Sequence, residues 1–439
     1  MTPKNSVIKA LFKSKNTRNS FWIIGEQILQ MMISLIVGVL SARYLGPDNY
    51  GTLNYTASFV TFALSIAKLG MDAVVIKKII DHPNEEGKYL GSSLLYRVIA
   101  AIISIAVVTL VVFLLNPSEP IKVLLVFLQS FRLLFVAIQI FDSWFQRHLK
   151  SKYVSIGKII AYIIVSAYKI FLLATAKSIV WFAISNALSD FVIAAMLLVF
   201  YKKERGQKLS VNREVANRVL LESYHFIISG LMTAIYSQMD KIMIGQLLTD
   251  SDVGLYTAAF TICSMWIFVP LAIINSFRPM IFELKKQGNE ALYLLRLKQL
   301  YSAIIWLCLF VSLMITILSK FIMGILFGED YLGAINTLCI AIWSEAFSMI
   351  GSARGIWVLC ENKNKYVKYY LGIGAIVNLL LNIALIPLWG IEGAAIATLI
   401  TQIVASLIAP LFFKSTKIHT KYVLEAFALT WWFKKKNNK

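Results

Sequence analysis

Apolar runs of about 20 residues alternate with short polar breaks along this chain. That is the length of a helix crossing a hydrocarbon core about 30 Å thick at about 1.5 Å per residue. Twelve such helices are predicted, over 21–42, 55–76, 90–115, 121–143, 154–174 and 178–200, then over 221–246, 253–281, 300–318, 331–358, 366–388 and 391–413. Polar residues inside several of them recur at helical spacing. Gln27, Gln30, Ser34 and Ser41 share one face of the first, Gln129, Arg132 and Gln139 mark the fourth, and Ser229, Thr233, Ser237 and Asp240 mark the seventh. Two accounts fit these stripes: they line a polar cavity, or they hydrogen-bond helix to helix.

One short stretch occurs twice. Arg43-Tyr-Leu-Gly-Pro-Asp-Asn-Tyr-Gly51 leads into Tyr55-Thr-Ala-Ser-Phe59, and Leu247-Leu-Thr-Asp-Ser-Asp-Val-Gly254 leads into Tyr256-Thr-Ala-Ala-Phe260. The surrounding hydropathy repeats as well, so the chain reads as two similar halves of six spans, as in many transporters. An even number of spans per half makes the repeat parallel, about an axis along the membrane normal. The expected fold class is all-α, a polytopic membrane protein of about twelve transmembrane helices in two six-helix bundles related by a parallel pseudo-two-fold repeat. The expected division is a first bundle over 1–201, a cytoplasmic linker over 202–218, a second bundle over 219–414 and a basic amphipathic tail over 415–439. The apolar residues of that tail, Leu429, Trp431 and Trp432 among them, suit a helix lying in the membrane interface.

Composition sharpens this picture. The 439 residues are 58% hydrophobic and 15% charged, against roughly 45–50% and about 25% in soluble domains. The net charge of +20 would suit nucleic acid, but its distribution points elsewhere. Lys and Arg crowd the ends and alternate loops, whereas the other loops hold little beyond Arg43, Lys177 and Lys320. This bias sets both termini in the cytoplasm and offers a partner to anionic lipid, with no nucleic acid involved. The first span follows a basic stretch with no cleavage site, so it is not a removable signal. The cysteines and histidines lack metal-ligand spacing, and no soluble domain remains for an enzyme.

Charges inside spans carry the functional reading, because they are costly at membrane depth. Arg132 stands about eleven residues, ~16 Å, from either end of its span. Lys68, Asp190 and Glu345 are also deep, while Lys169 and Lys241 lie close enough to an end to reach headgroups. Arg97 and Arg354 suit interfacial anchoring. Lys68 and Asp72 stand at i,i+4, which fits an intrahelical ion pair as well as substrate contact. Asn378 and Asn382 have the same spacing and suit either sugar hydroxyls or helix-to-helix bonds. Pro270 should kink the eighth span.

Leu45-Gly-Pro-Asp-Asn-Tyr-Gly51, its partial echo Asp252-Val-Gly254-Leu-Tyr256, Leu326-Phe-Gly-Glu-Asp-Tyr-Leu-Gly333 and Pro387-Leu-Trp-Gly-Ile-Glu-Gly-Ala-Ala-Ile-Ala397 resemble the polysaccharide biosynthesis proteins. These are the Wzx-type O-antigen flippases of the multidrug/oligosaccharidyl-lipid/polysaccharide exporter superfamily, and the resemblance covers essentially the whole chain. It implies alternating access and transfer of an undecaprenyl-diphosphate-linked oligosaccharide between leaflets of the bacterial inner membrane, beside a polymerase and chain-length proteins. The related lipid II flippases usually have fourteen spans, which points away from a peptidoglycan role. The substrate-binding residues expected are Arg132, Lys68, Gln27, Gln30, Gln129, Asn378, Asn382 and Lys241. Asp190, Asp240, Glu345 and Asp72 are the expected ion-coupling acids, for H+ or Na+, with no other cofactor. Two alternatives stand beside this: a multidrug and toxin extrusion antiporter of the same superfamily, and a membrane scaffold that transports nothing. A cation exporter calls for an acidic cavity, whereas Lys68 and Arg132 lean towards an anion.

Overall fold

A computed structural model of the chain describes residues 15–428, with side chains from residue 25 onward except Ile28. The lysines before residue 15 and the tail residues Leu429, Trp431, Trp432 and Phe433 lie outside the described residues. Helix follows helix: α1 (Lys15–Ala67), α2 (Met71–Asp81), α3 (Glu86–Leu115), the short α4 (Pro120–Ser130), α5 (Arg132–Ile138) and α6 (Phe141–Arg147), then α7 (Ser151–Ala174), α8 (Ile179–Lys203) and α9 (Arg213–Leu247). The rest comprises α10 (Asp250–Ser264), α11 (Phe268–Lys286), α12 (Glu290–Leu326), α13 (Ile335–Cys360), α14 (Val367–Ile403) and α15 (Lys417–Phe427).

Ten helical segments among the described residues are long and apolar enough to cross a membrane. Two exceed one crossing: Gly25–Asp81 has 57 residues and Asn364–Phe412 has 49, about 85 and 75 Å of helix against a core of about 30 Å. Both bend at a glycine with positive φ, Gly46 at 70° and Gly390 at 58°, a conformation other residues avoid. Each of the two counts as a double crossing, which makes twelve. Pro270 falls in the first turn of α11, where its missing N–H costs little. The break itself lies just before, between Ser264 and Phe268.

The chain divides into two compact units, Met1–Leu45 with Thr52–Ala234, and Gly46–Gly51 with Ile235–Lys439. In the first, Met71, Val75, Leu90, Phe141 and Phe145 form part of the buried core. The polar stretch after α8 is tied down. Gly87 N–H donates to Gln207 Oε1 at 3.1 Å, Gln207 Nε2 donates to the Pro83 carbonyl at 2.7 Å, and Asn212 N–H donates to Ser92 Oγ at 2.9 Å.

In the second unit the core joins α11, α12, α13 and α15. The helix α14 runs into a single π turn, Val404–Ile408, which frees carbonyls from the α-ladder. Arg354 supplies the donor, its Nη1 reaching the carbonyls of Ala405 at 2.8 Å and Ser406 at 3.1 Å. The helix α15 docks on α12: Ser302 Oγ donates to the Ala426 carbonyl at 2.7 Å, Lys298 pairs with Glu425, and Phe427 stacks on Trp306. His419 is fully buried, with Tyr301 and Trp357 each 5.4 Å from its ring. Among the described residues neither of its nitrogens has a hydrogen-bond partner. Burial, reinforced by the Arg354 charge, pushes this imidazole well below its ordinary range.

Residues 46–51 of the first copy of the repeated stretch pack against the second copy inside the second unit. A Cβ on Gly51 would lie 1.7 Å from the Asp250 carbonyl oxygen, and one on Gly254 would lie 2.1 Å from that of Pro47. Neither backbone can yield cheaply, so Gly51→Ala and Gly254→Ala should each lower the amount of folded protein in the membrane severalfold, measured by in-gel fluorescence of a fusion. His419 gives a pH signature. The folded chain keeps it neutral, while the unfolded chain takes a proton below about pH 6.5. Its stabilising contribution is therefore complete above that pH and lost as pH falls. The thermal midpoint should drop between pH 7 and 5, and His419→Phe should flatten that drop.

Candidate functional site

The first unit contains a half-open cavity of about 260 Å³ lined by α1, α5, α7 and α8. Three charges face it: Arg132, Lys169 and Asp190. Arg132 Nε donates to Asp190 Oδ2 at 2.9 Å, and Gln139 Nε2 donates to Asp190 Oδ1 at 2.9 Å. Lys169 makes no hydrogen bond or ion pair among the described residues, so two cations and one acid leave one net positive charge. Gln30, Ser34, Ser166, Asn186 and Ser189 add neutral hydrogen-bonding groups. Arg132 sits where the segment 120–147 is broken into three short helices. Irregular backbone at this depth is tolerated where it lines a polar cavity. Beside the cavity, the buried Glu26 accepts from Tyr162 Oη at 3.3 Å and pairs with Lys158 at 3.8 Å.

The second unit has its own cavity, about 380 Å³, lined by residues of α9, α10, α13 and α14. Asp240 borders it and is saturated with donors. Its Oδ1 accepts from Asn378 at 3.0 Å and Asn382 at 2.6 Å; its Oδ2 accepts from Tyr256 at 2.6 Å and Thr398 at 2.5 Å. Lys241 and Glu345 also line this cavity, and among the described residues neither makes a hydrogen bond or ion pair. Two acids against one lysine leave one net negative charge.

Several residues singled out in the sequence sit differently from their expected pairing. Lys68 and Asp72 do not share a helix, because the chain turns through Leu69 at φ 51° and Gly70 at φ 57°. Asp72 pairs instead with the buried Arg97 at 2.7 Å, whose Nε donates to the Lys68 carbonyl at 3.0 Å. Arg97 is thus an internal partner and not an interfacial anchor. Asn378 and Asn382 spend their amide donors on Asp240, the helix-joining alternative. Gln129 is buried, its Nε2 donating to the Leu53 carbonyl and Thr56 Oγ1, both at 3.2 Å. Gln27 is exposed, whereas Gln30 lines the first cavity. Lys169 had a readable signal, since Tyr162, Ser166 and Lys169 recur at i, i+4 and i+7. The Tyr256–Asp240 bond joins two helices and left no mark in local spacing.

Removing one member of the Arg132–Asp190 pair strands the other, at a cost of about 3–5 kcal/mol. Arg132→Gln alone should therefore reduce the folded protein in membranes. Adding Asp190→Asn should restore it, a rescue readable by size-exclusion profile.

A family profile described as polysaccharide biosynthesis protein matches residues 16–285. A protein named as an O-antigen transporter in Escherichia coli K12 is 22% identical over 416 residues, which is 91% of this chain and 97% of that protein. A protein named as the low-salt glycan biosynthesis flippase Agl15 of Haloferax volcanii is 24% identical over 201 residues, 46% of this chain but only 40% of that protein. Among solved structures, the lipid II flippase MurJ in an inward closed conformation superposes with a TM-score of 0.74 at 16% identity, covering 93% of this chain and 90% of that one. An inward-facing MATE family transporter of the MOP superfamily gives 0.69 at 13% identity, covering 92% and 99%. The two structural likenesses speak for the fold, and the profile, spanning more than half of the chain, for descent: this chain belongs to the polysaccharide biosynthesis protein family.

Proposed function

We propose that this protein flips an oligosaccharide linked to undecaprenyl diphosphate from the cytoplasmic to the outer leaflet of a bacterial inner membrane, by alternating access and without catalysing a reaction. The observation that supports this best is the first-unit cavity, polar in its lining and net positive within a family of polysaccharide biosynthesis proteins. Such a lining suits a glycan and an anionic group, whereas a drug-cation antiporter would need the opposite charge there. A scaffold that moves nothing has no use for charges placed around a cavity. In this reading Gln30 meets sugar hydroxyls, and Arg132 and Lys68 meet the anionic part of the substrate. Arg132 brings a planar fork and Lys68 a mobile charge.

Coupling to H+ or Na+ belongs to the same proposal. Of the four acids considered, Asp72, Asp190 and Asp240 already accept hydrogen bonds from other side chains. Glu345 faces a cavity without one, which makes it the best placed to take a cation. Both termini are cytoplasmic in this reading, by the loop charge bias, and anionic lipid, a polymerase and chain-length proteins are the expected neighbours.

Purified protein in vesicles should carry a fluorescent lipid-linked oligosaccharide to the inner leaflet, where a membrane-impermeant quencher no longer reaches it. Glu345→Gln should keep this movement but lose its response to an imposed pH or Na+ gradient. Absence of movement by the unmodified protein would sink the proposal, as would a reporter at Lys208 found outside the cytoplasm.

A further inference from the structure

The first-unit cavity contains more than the Arg132–Asp190 pair. Lys169 belongs to α7, five residues before its end, and lines the cavity without a partner among the described residues. Its ammonium group faces the cavity with no acid in hydrogen-bonding or ion-pairing contact among the described residues, which leaves its charge available to an incoming anion. Arg132 cannot be that anion's whole explanation, since Asp190 already balances it at 2.9 Å. One unbalanced positive charge remains. A diphosphate diester brings two negative charges, so the match in charge is poor; a carboxylate brings one. The size agrees, because about 260 Å³ is below the roughly 300–1,000 Å³ of pockets for drug-sized ligands. The cavity therefore suits one sugar unit, with the rest of a glycan extending through its open side. Around Lys169 stand Gln30, Ser34, Ser166, Asn186 and Ser189. These are the neutral donors and acceptors that ring hydroxyls require.

We propose that this cavity is a subsite for a single sugar unit bearing one negative charge, with Lys169 as the residue that reads its carboxylate. The inference rests on the flippase reading and narrows its substrate to glycans with an acidic sugar. It leaves the diphosphate to Lys68, outside this cavity, and gives Arg132, already paired with Asp190, to the sugar unit.

The test uses the full chain in vesicles and two prenyl-diphosphate-linked disaccharides that differ only in the terminal sugar, glucuronic acid or glucose. The unmodified protein should move the acidic one faster by about tenfold or more, the usual scale of a hydrogen bond to a charged group. Lys169→Met should abolish that preference, slowing the acidic substrate and sparing the neutral one, while Lys169→Arg should keep most of it. Its thermal midpoint should not fall, because Lys169→Met removes an unpaired charge. Equal handling of both disaccharides by the unmodified protein overturns the subsite, as does an equal slowing of both by Lys169→Met. Farnesyl diphosphate, which carries no sugar, should inhibit the unmodified protein and Lys169→Met alike; relief of inhibition in the variant would show that the lysine reads the diphosphate and overturn the proposal. Movement of neither disaccharide by the unmodified protein would instead overturn the flippase reading, and the subsite with it.

Discussion

Asp240 and its four donors hold the second unit in register. Between membrane helices there is no hydrophobic drive comparable to that in water, so close packing and directional bonds decide which faces meet. The carboxylate draws Tyr256 from α10 and three side chains from α14 to one point. Asn382 and Thr398 both belong to α14, sixteen residues apart, which is about 24 Å along a straight helix. They reach the same carboxylate only because the chain bends back at Gly390. The glycine and the acid are thus one device: without the bend the donors on either side of it could not converge, and without the acid they would be buried unpaired.

The first unit meets the same constraint with an ion pair. Asp190 takes one bond from Arg132 and one from Gln139, side chains on opposite flanks of α5. The short helices α4, α5 and α6 place both donors towards α8 and leave backbone that only a polar cavity tolerates. The two solutions differ in what they leave over. Around Asp240 the donors are neutral, so the acid's charge stays in the sum and Glu345 adds to it. Around Asp190 the donor is a guanidinium, the charges cancel, and Lys169 sets the sign. Opposite net charge in the two cavities follows from which donor type each buried acid recruited.

Much of the fold was legible in the sequence because it rests on run length and on backbone needs. Twelve apolar runs gave twelve crossings, including the two hidden inside the continuous helices around Gly46 and Gly390, and the repeated glycine stretch marked where two helix starts press together. Partners were far less legible. Lys68 and Asp72 stood at i,i+4, a spacing that makes a pair only on an unbroken helix, and the chain turns there through Leu69 and Gly70, both with positive φ. Arg97 looked like an anchor since its depth from the span end is small, yet it is buried against Asp72. Asp240 stood out as a deep acid, but its four donors come from positions 16 to 158 residues away, which no local pattern encodes.

What separates a structural charge from a site is whether the fold itself finishes its bonds. Arg97, Arg132 and Lys158 each meet an acid within their own unit, so their presence is accounted for by packing alone. Lys169 lines the same cavity as Arg132, partly buried, and meets none among the described residues. A hydrophobic residue of similar length would fill the same space without the desolvation cost of an ammonium. The fold therefore leaves this charge without a bonded partner among the described residues. An anion that arrives afterwards would supply such a partner, and the hydroxyl and amide groups around Lys169 favour an anion with hydroxyls of its own.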